Sequence, residues 1–319
     1  MASIDAVSVA VPPLHQADIV CESLAAGKHV LCEKPFGIDL NEAGRMFESA
    51  RKHQRVNAID FEYRMERGIA ELKQQMDLGA IGALRRIHVM WHTRGRSHPS
   101  SPWSWQHDLD LGGGVLNNFG SHVLDYVEWL SGCRILSLFA RAGISRHERP
   151  DTSGVQKEVT AEDNADLLCE MESGVVASLS LSNGYSCASG HRIEMIGDRG
   201  RLCYIHEIPS AINQAQLLIE TDGGQVRSLP LRQDLPDGFC DPRAVSFRRL
   251  AGRFIETISG SSIADLPDFE RGLRVRTVLD AARRSIRCRE AVTVPTSVPP
   301  YGDVKERSIF RYEKTDFKV

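Results

Sequence analysis

The chain has 319 residues, of which 42% are hydrophobic and 25% are charged, and its formal net charge at pH 7 is −3. This composition is typical of a soluble globular protein, and the length predicts about two domains. Because Lys and Arg form no basic cluster and no run of about 18 apolar residues occurs, we expect neither nucleic-acid binding nor a membrane span. The N-terminal residues lack the pattern of a signal peptide, so the sequence predicts a cytoplasmic protein.

The first part of the chain alternates between strand-like and helix-like segments. The strand-like segments are residues 4–13, 29–35 and 56–64, and the helical segments are residues 14–28 and 39–54. The strands are rich in Ile and Val on both faces, as in a parallel sheet covered on both sides. This alternation predicts an α/β unit whose parallel strands are joined by right-handed crossovers.

The pattern changes after about residue 80. Strand-like runs now follow one another closely, at residues 84–94, 135–144, 165–182, 191–205 and 215–229. Glycine-containing turns separate several of them, which predicts antiparallel pairing. Helical stripes lie at residues 114–132, 244–258 and 269–287, and exposed loops are expected at 147–158 and from Thr296 onward. The sequence therefore predicts an α/β domain over residues 1–57 and, over residues 58–319, an α+β domain with an open, mainly antiparallel sheet.

Two short motifs fall at the ends of predicted parallel strands. They are "VPPLH" at residues 11–15 and "EKP" at residues 33–35. The carboxyl ends of parallel strands meet at one edge of the sheet, where open α/β folds bind ligands. We therefore expect His15 and Lys34 to share one cleft. A lysine in such a place can donate a hydrogen bond to a substrate hydroxyl, or have its pKa shifted toward neutrality.

A third motif, "GGGVLNNFGSHVLD", covers residues 112–125. Its glycines permit close backbone approach and a tight entry into a helix. Asn118 and His122 are four residues apart, which predicts that they share one helical face, with Asp125 one turn beyond. A histidine there can transfer a proton at neutral pH.

Other polar and aromatic residues are weaker candidates. Glu62 and Arg64 follow the third strand near the expected cleft, and both are candidates for contact with a substrate, of which Arg64 is the one we predict. Trp105, with Trp103 and His107 nearby, is interpreted either as the wall of a sugar pocket or as a loop anchor. The histidines and the eight cysteines lack ligand spacing, so no metal site is expected.

Taken in order, these segments resemble a known family, the Gfo/Idh/MocA oxidoreductases, named for glucose-fructose oxidoreductase and inositol dehydrogenase. The resemblance runs from Ile4 to about Val294 and rests on "DAVSVAVPPLH", "AGKHVLCEKPF", "LGAIG", "GGGVLNNFGSH", "AEDNADL" and "RGLRVRTVLDAARRS". It implies that residues 1–57 are the C-terminal part of a Rossmann-like domain that binds NAD or NADP. It also implies that the second domain supplies substrate contacts and forms a homo-oligomer.

The resemblance also assigns roles to particular residues. The implied contacts of the nicotinamide end are Pro12, His15, Glu33, Lys34 and Pro35, and the implied substrate contacts are Arg64, Trp105, Asn118 and His122. Lys34 would contact both cofactor and substrate, His122 would transfer the proton, and Asn118 would orient. The implied activity is hydride transfer between nicotinamide and a hydroxyl or carbonyl group of a sugar, polyol or related small molecule.

Two features depart from the family pattern. Asn118 stands where many members have an aspartate, and an asparagine cannot accept a proton. The chain also contains no G-x-G-x-x-G, and roughly 60 to 70 residues of a typical Rossmann domain would precede Ile4. We interpret the sequence as a truncated form of a full enzyme. The alternatives are a catalytically silent ligand-binding or assembly protein, and a non-redox lyase or hydrolase on the same scaffold.

Overall fold

The computed structural model describes residues 4–207, 215–231, 241, 243–261, 263 and 265–296. The predicted loop beyond Thr296 lies outside these residues. Within them, no helix combines the length and the apolar character that a bilayer crossing requires.

The N-terminal part forms a small parallel sheet. Its strands are β1 (Ala6–Val9), β2 (His29–Cys32) and β3 (Asn57–Ile59), and the connecting helices are α1 (Gln16–Ala25) and α2 (Leu40–His53). The strands pair in the order β1-β2-β3, and both pairs are parallel. The predicted alternation of strand and helix is therefore confirmed. Every strand ends at the same edge of the sheet.

The larger sheet has nine strands in the described residues, in the order β13-β12-β11-β10-β4-β9-β8-β5-β14. They are β4 (Leu84–His92), β5 (Ile135–Gly143), β8 (Asn164–Met171), β9 (Val176–Ser182), β10 (Gly190–Gly197), β11 (Gly200–His206), β12 (Ala215–Thr221), β13 (Val226–Leu231) and β14 (Val292–Thr293). Within this sheet only the β4–β9 pair is parallel. The predicted fold class, a parallel sheet followed by a mainly antiparallel one, is confirmed.

One helix, α3 (Arg67–Asp77), was not predicted from the sequence. It begins where the Glu66 carboxylate accepts a hydrogen bond from the backbone N–H of Ile69, at 2.9 Å. Gly68, Ile69 and Leu72 are its buried residues. Ile69, Leu72 and Met76 recur at helical spacing, so the signal for this helix was present in the sequence and was not used.

Two other segments differ from the sequence prediction. Residues 114–132 do not form one α-helix, because a π-helical turn at Leu116–Gly120 precedes α4 (Ser121–Ser131). The predicted loop at 147–158 contains a short hairpin of β6 (Glu148–Pro150) and β7 (Gln156–Glu158). Strands of three residues are too short to show a periodic pattern in the sequence.

The C-terminal helices α5 (Arg243–Ile258) and α6 (Phe269–Cys288) return to the small sheet. Leu250 and Phe254 of α5 pack with Leu31 of β2. Helix α6 approaches β3 at Gly272, where a Cβ atom would lie 2.5 Å from the Cδ1 atom of Ile59. The division into domains at residues 57 and 58 stays a prediction.

A buried ion cluster joins α4 and α6 to the turn after β3. Asp125, which is 1% exposed, accepts hydrogen bonds from Arg64 at 2.6 and 2.7 Å and from Arg271 at 2.6 Å. Arg271 also donates to Glu128 at 2.6 Å, and Arg274 donates to Glu128 at 2.7 Å. Because both carboxylates are paired, the charges compensate one another inside the protein.

We expect Asp125→Asn to lower the free energy of unfolding by about 3–5 kcal/mol, because it leaves two buried guanidinium groups beside a neutral amide. Urea unfolding followed by circular dichroism measures this change. The matched control is Asp18→Asn, since Asp18 pairs with Arg45 at the surface and its side chain is 78% exposed. This control should change stability far less. Equal effects of the two substitutions would contradict the prediction.

Candidate active site

A cleft of about 320 Å³ lies at the carboxyl ends of β1 and β2. Six residues of the predicted site line it, namely Pro12, Glu33, Lys34, Pro35, Trp105 and Asn118. Three further residues with ionisable side chains line it as well, namely Glu62, Arg96 and Arg243. The cleft therefore collects charged groups from both sheets at the edge where open α/β folds bind ligands.

Lys34 is held in this cleft by Asn118. Its Nζ atom donates to the backbone oxygen of Asn118 at 3.1 Å and to the side-chain Oδ1 atom at 2.9 Å. Asn118 lies in the π-helical turn, and such turns are frequent at functional sites. An ammonium group has three N–H donors, and two acceptors bind them in the described part of the chain, which leaves one N–H for a molecule in the cleft. Burial lowers the pKa of Lys34, and the nearby carboxyl groups, first Glu62 and then Glu33, oppose that shift.

The glycine turn before Asn118 is fixed by buried polar groups. The carboxylate of Glu162 accepts from the backbone N–H of Leu116 at 3.1 Å. Gly114 has a φ of +102°, and a Cβ atom there would lie 2.3 Å from the Oε1 atom of Glu162. The side-chain amide of Asn117 donates to the backbone oxygens of Gly112 and Gly113 at 3.0 and 3.1 Å.

Arg276 of α6 connects this turn to the segment after Lys34. Its guanidinium donates to the backbone oxygens of Phe36 and Gly37 at 3.2 and 2.5 Å, and to Oδ1 of Asn117 at 3.1 Å. Sequence reasoning missed both Arg276 and Asn117. The signal that was available is an arginine on the buried stripe of α6, between Leu273 and Leu279.

Glu62 separates the cleft from His122. Its Oε2 atom lies 3.6 Å from the Nε2 atom of His122, which is 2% exposed. Burial raises the pKa of Glu62 to about 7, although the positive charge of Lys34 acts in the opposite direction. Burial, followed by the charges of Lys34 and Arg243, holds the pKa of His122 well below its usual value. His122 is therefore neutral at physiological pH.

The carboxyl groups of Asp60 and Glu33 lie close to each other and to Lys34. Burial, with the negative charges of Glu62 and Glu33, raises the pKa of Asp60 to about 9, and Asp60 shares a hydrogen bond with Glu33. Asp60 is therefore protonated at neutral pH.

Within the described ranges, no three His, Cys, Asp or Glu side chains are arranged to hold a metal ion.

Three predicted site residues do not line the cleft as the structure describes it. Arg64 was expected to contact a substrate, but its guanidinium is buried against Asp125, because that carboxylate needs a compensating charge. His122 lies behind Glu62. His15 ends the short 3-10 turn before α1, and its side chain is exposed.

Trp103 and Trp105 have different positions. The indole N–H of Trp103 donates to the backbone oxygen of Glu158 at 2.9 Å, which makes it a loop anchor. Trp105 lines the cleft, and its role as the wall of a sugar pocket stays a prediction.

The cleft residues fit the nicotinamide end of a dinucleotide. Val11 and Pro12 offer an apolar surface for a flat ring, and Lys34 offers an N–H donor to a carbonyl or hydroxyl group. The 319 residues contain no glycine-rich phosphate fingerprint, so the fit concerns the nicotinamide end alone.

A parallel sheet with a strand-end cleft, a lysine inside it and an attached open-sheet domain is the architecture expected of a dinucleotide-dependent oxidoreductase. The comparisons with known proteins agree. Residues 1–61 match the oxidoreductase family with an NAD-binding Rossmann fold, and residues 69–203 match the GFO/IDH/MocA C-terminal domain. The chain belongs to the GFO/IDH/MocA oxidoreductase family.

Three similar proteins illustrate the relationship. An uncharacterized oxidoreductase of Synechocystis is 27% identical over 92% of this chain and 80% of its own length. A levoglucosan dehydrogenase of Pseudarthrobacter phenanthrenivorans is 30% identical over 40% of this chain and 33% of its own. The structure of an inositol dehydrogenase homologue from Azotobacter vinelandii, complexed with NAD+, has a TM-score of 0.75 and 26% identity, covering 91% of this chain and 78% of that one.

Gly114→Ala should lower stability by about 1–3 kcal/mol more than Gly223→Ala, because only the first new methyl group meets a buried neighbour. The two glycines have similar φ angles, +102° and +105°, so backbone strain is matched, and the Cβ position at Gly223 has no atom within 4 Å. Thermal and urea unfolding of both variants give the difference. A Gly223→Ala variant that loses as much stability would show that backbone strain, not the contact with Glu162, explains the effect.

Proposed function

We propose that this protein transfers a hydride between NAD or NADP and a hydroxyl or carbonyl carbon of a sugar, polyol or related small molecule. One observation carries the proposal: the ammonium group of Lys34 lies in the strand-end cleft, held by Asn118 and with one N–H donor left for a ligand. The names of the relatives, levoglucosan dehydrogenase and inositol dehydrogenase homologue, support a sugar or polyol as substrate.

Bound in the cleft, a nicotinamide ring supplies the hydride acceptor or donor. Pro12, Glu33, Lys34 and Pro35 would hold its end of the dinucleotide. The positive charge of Lys34 stabilises the negative charge that develops on the substrate oxygen. Asn118 fixes the direction of the lysine, so little reorganisation is needed during the reaction.

Trp105 provides a flat apolar wall suited to the carbon–hydrogen face of a sugar ring. A nicotinamide contact by His15 and a cytoplasmic location stay predictions of the sequence.

We expect Lys34→Met to weaken NADH binding at least about tenfold, because a hydrogen bond from a charged donor contributes about 1.5–3 kcal/mol. A fluorescence titration of the full chain with NADH and with NADPH measures the dissociation constants. Lys52→Met is the matched control, since Lys52 is exposed near the end of α2. Circular dichroism establishes that both variants fold.

Two results would contradict the proposal. One is the absence of any NADH or NADPH binding by the wild-type chain up to millimolar concentrations. The other is equal binding by wild type and Lys34→Met, which would place the nicotinamide outside this cleft.

We further propose that the outer face of the larger sheet joins two copies of the chain. A shallow depression of about 560 Å³ lies on this face and is lined by Phe139, Leu168 and Ser178, among others. The side chains of Phe139 and Leu168 are 37% and 54% exposed. Exposed apolar residues that line one depression are typical of an interaction surface.

Leu168→Glu should therefore shift the chain toward a monomer, because a second copy would bury the new charge. Size-exclusion chromatography with light scattering measures the mass of wild type and variant at the same concentration. Ile255→Glu is the control, since Ile255 is 60% exposed but lies on α5, beside the small sheet. A monomeric wild-type protein, or a Leu168→Glu variant of unchanged mass, would refute the interface.

A further inference from the structure

Glu62 is an acidic side chain that lies between the cleft and the buried His122. One part of the side chain lines the cleft, and its Oε2 atom is buried without a hydrogen-bond partner in the described residues. The same Oε2 atom is 3.6 Å from the Nε2 atom of His122. The Nδ1 atom of His122 is also buried without a partner in the described part of the chain.

Charged and titratable groups surround Glu62 on every side. They are Glu33 and Lys34 after β2, Asp60 after β3, Tyr63 beside it, His122 of α4 and Arg243 of α5. The pKa of Glu62 is raised to about 7 by the balance of these groups: burial, the largest effect, raises it, Lys34 lowers it, Glu33 raises it and Arg243 lowers it. Asp60 is already protonated at that pH, so it adds little charge.

We propose that Glu62, and not His122, exchanges the proton with the substrate oxygen in the hydride transfer, an inference that rests on the proposed function. His122 then acts as a positioning residue behind Glu62. The alternatives are less suitable. Asn118 cannot accept a proton, and His122 does not line the cleft.

In the oxidation direction, the O–H bond of the substrate breaks and its proton passes to the carboxylate of Glu62. The C–H bond of the carbon that bears this hydroxyl also breaks, and its electron pair would leave as a hydride to an oxidised nicotinamide bound in the cleft. The electron pair of the O–H bond forms the new carbonyl bond. Lys34 stays protonated and donates a hydrogen bond to the oxygen throughout. Reduction is the reverse, with Glu62 starting as the acid.

The sign of the pH dependence follows from these roles. Glu62 accepts a proton only as a carboxylate, so the rate of oxidation should rise with pH through about 7. The rate of reduction should fall through the same range, because Glu62 must then start protonated.

The first test needs no substrate. Infrared difference spectra of the full wild-type chain, titrated in pH, should show the C=O band of a carboxylic acid that disappears near pH 7. This band should be absent from Glu62→Gln. Asp60→Asn is the control, because Asp60 should lose its own band only near pH 9, so this variant should keep the band near pH 7. Removing the Glu62 charge also lowers the pKa of Asp60, so the double variant Glu62→Gln/Asp60→Asn decides the test. A band near pH 7 that survives in this double variant would overturn the inference.

The second test uses turnover of a panel of sugars and polyols with NAD+ and NADP+. Glu62→Gln should lower kcat about 100-fold, the usual contribution of a general acid–base group, and remove the pH limb near 7. Glu62→Asp should restore part of kcat and of the limb.

The outcomes separate the inference from the proposed function. A wild-type chain that binds no nicotinamide dinucleotide refutes the proposed function. A wild-type chain that binds and turns over, with a Glu62→Gln variant of unchanged kcat and pH profile, refutes only the role of Glu62. If His122→Gln alone removed the pH limb, the proton would belong to His122.

Discussion

The guanidinium of Arg276 fixes the two halves of the cleft relative to each other. It binds the backbone oxygen of Gly37, just after the lysine motif, and the side chain of Asn117, just before Asn118. Arg276 is 2% exposed, and burial lowers its pKa to about 10, yet it stays charged at neutral pH because its acceptors replace water. The contact between Lys34 and Asn118 depends on this arrangement, since Lys34 follows β2 and Asn118 lies in the π-helical turn before α4.

The same lack of water acts on the ionisable groups inside the cleft. Burial lowers the pKa of Lys34 and raises the pKa values of Asp60 and Glu62, so the uncharged form of each group is favoured. Groups buried only to stabilise a fold are normally fully paired, as Asp125 is with Arg64. Glu62 and His122 instead keep unsatisfied atoms next to the cleft. Such a combination is characteristic of sites that move protons.

The sequence predicted the parts of this molecule that depend on local pattern. The β2 segment is apolar on both faces, and the helices that cover it were recognisable, so the parallel sheet and the position of Lys34 followed. Helix α3 was missed although its apolar residues Ile69, Leu72 and Met76 recur at helical spacing. The burial of Arg64 and the contact between Glu62 and His122 depend on how α4 packs under the turn after β3. These partners are some sixty residues apart, and no local periodicity encodes their meeting.

The neutral side chain of Asn118 and the acidic one of Glu62 are two parts of one electrostatic arrangement. An aspartate at position 118 would put another carboxylate against Lys34, in a space that already holds Glu33, Asp60 and Glu62. Poorly solvated carboxylates repel one another. An additional carboxylate would therefore either keep a neighbouring carboxyl group protonated or form an ion pair with Lys34. With Asn118, Lys34 keeps its hydrogen bonds while the titrating carboxyl group comes from the strand-end turn. Asn118 is then compatible with acid–base chemistry at this cleft, because in the proposed mechanism Glu62 accepts and donates the proton.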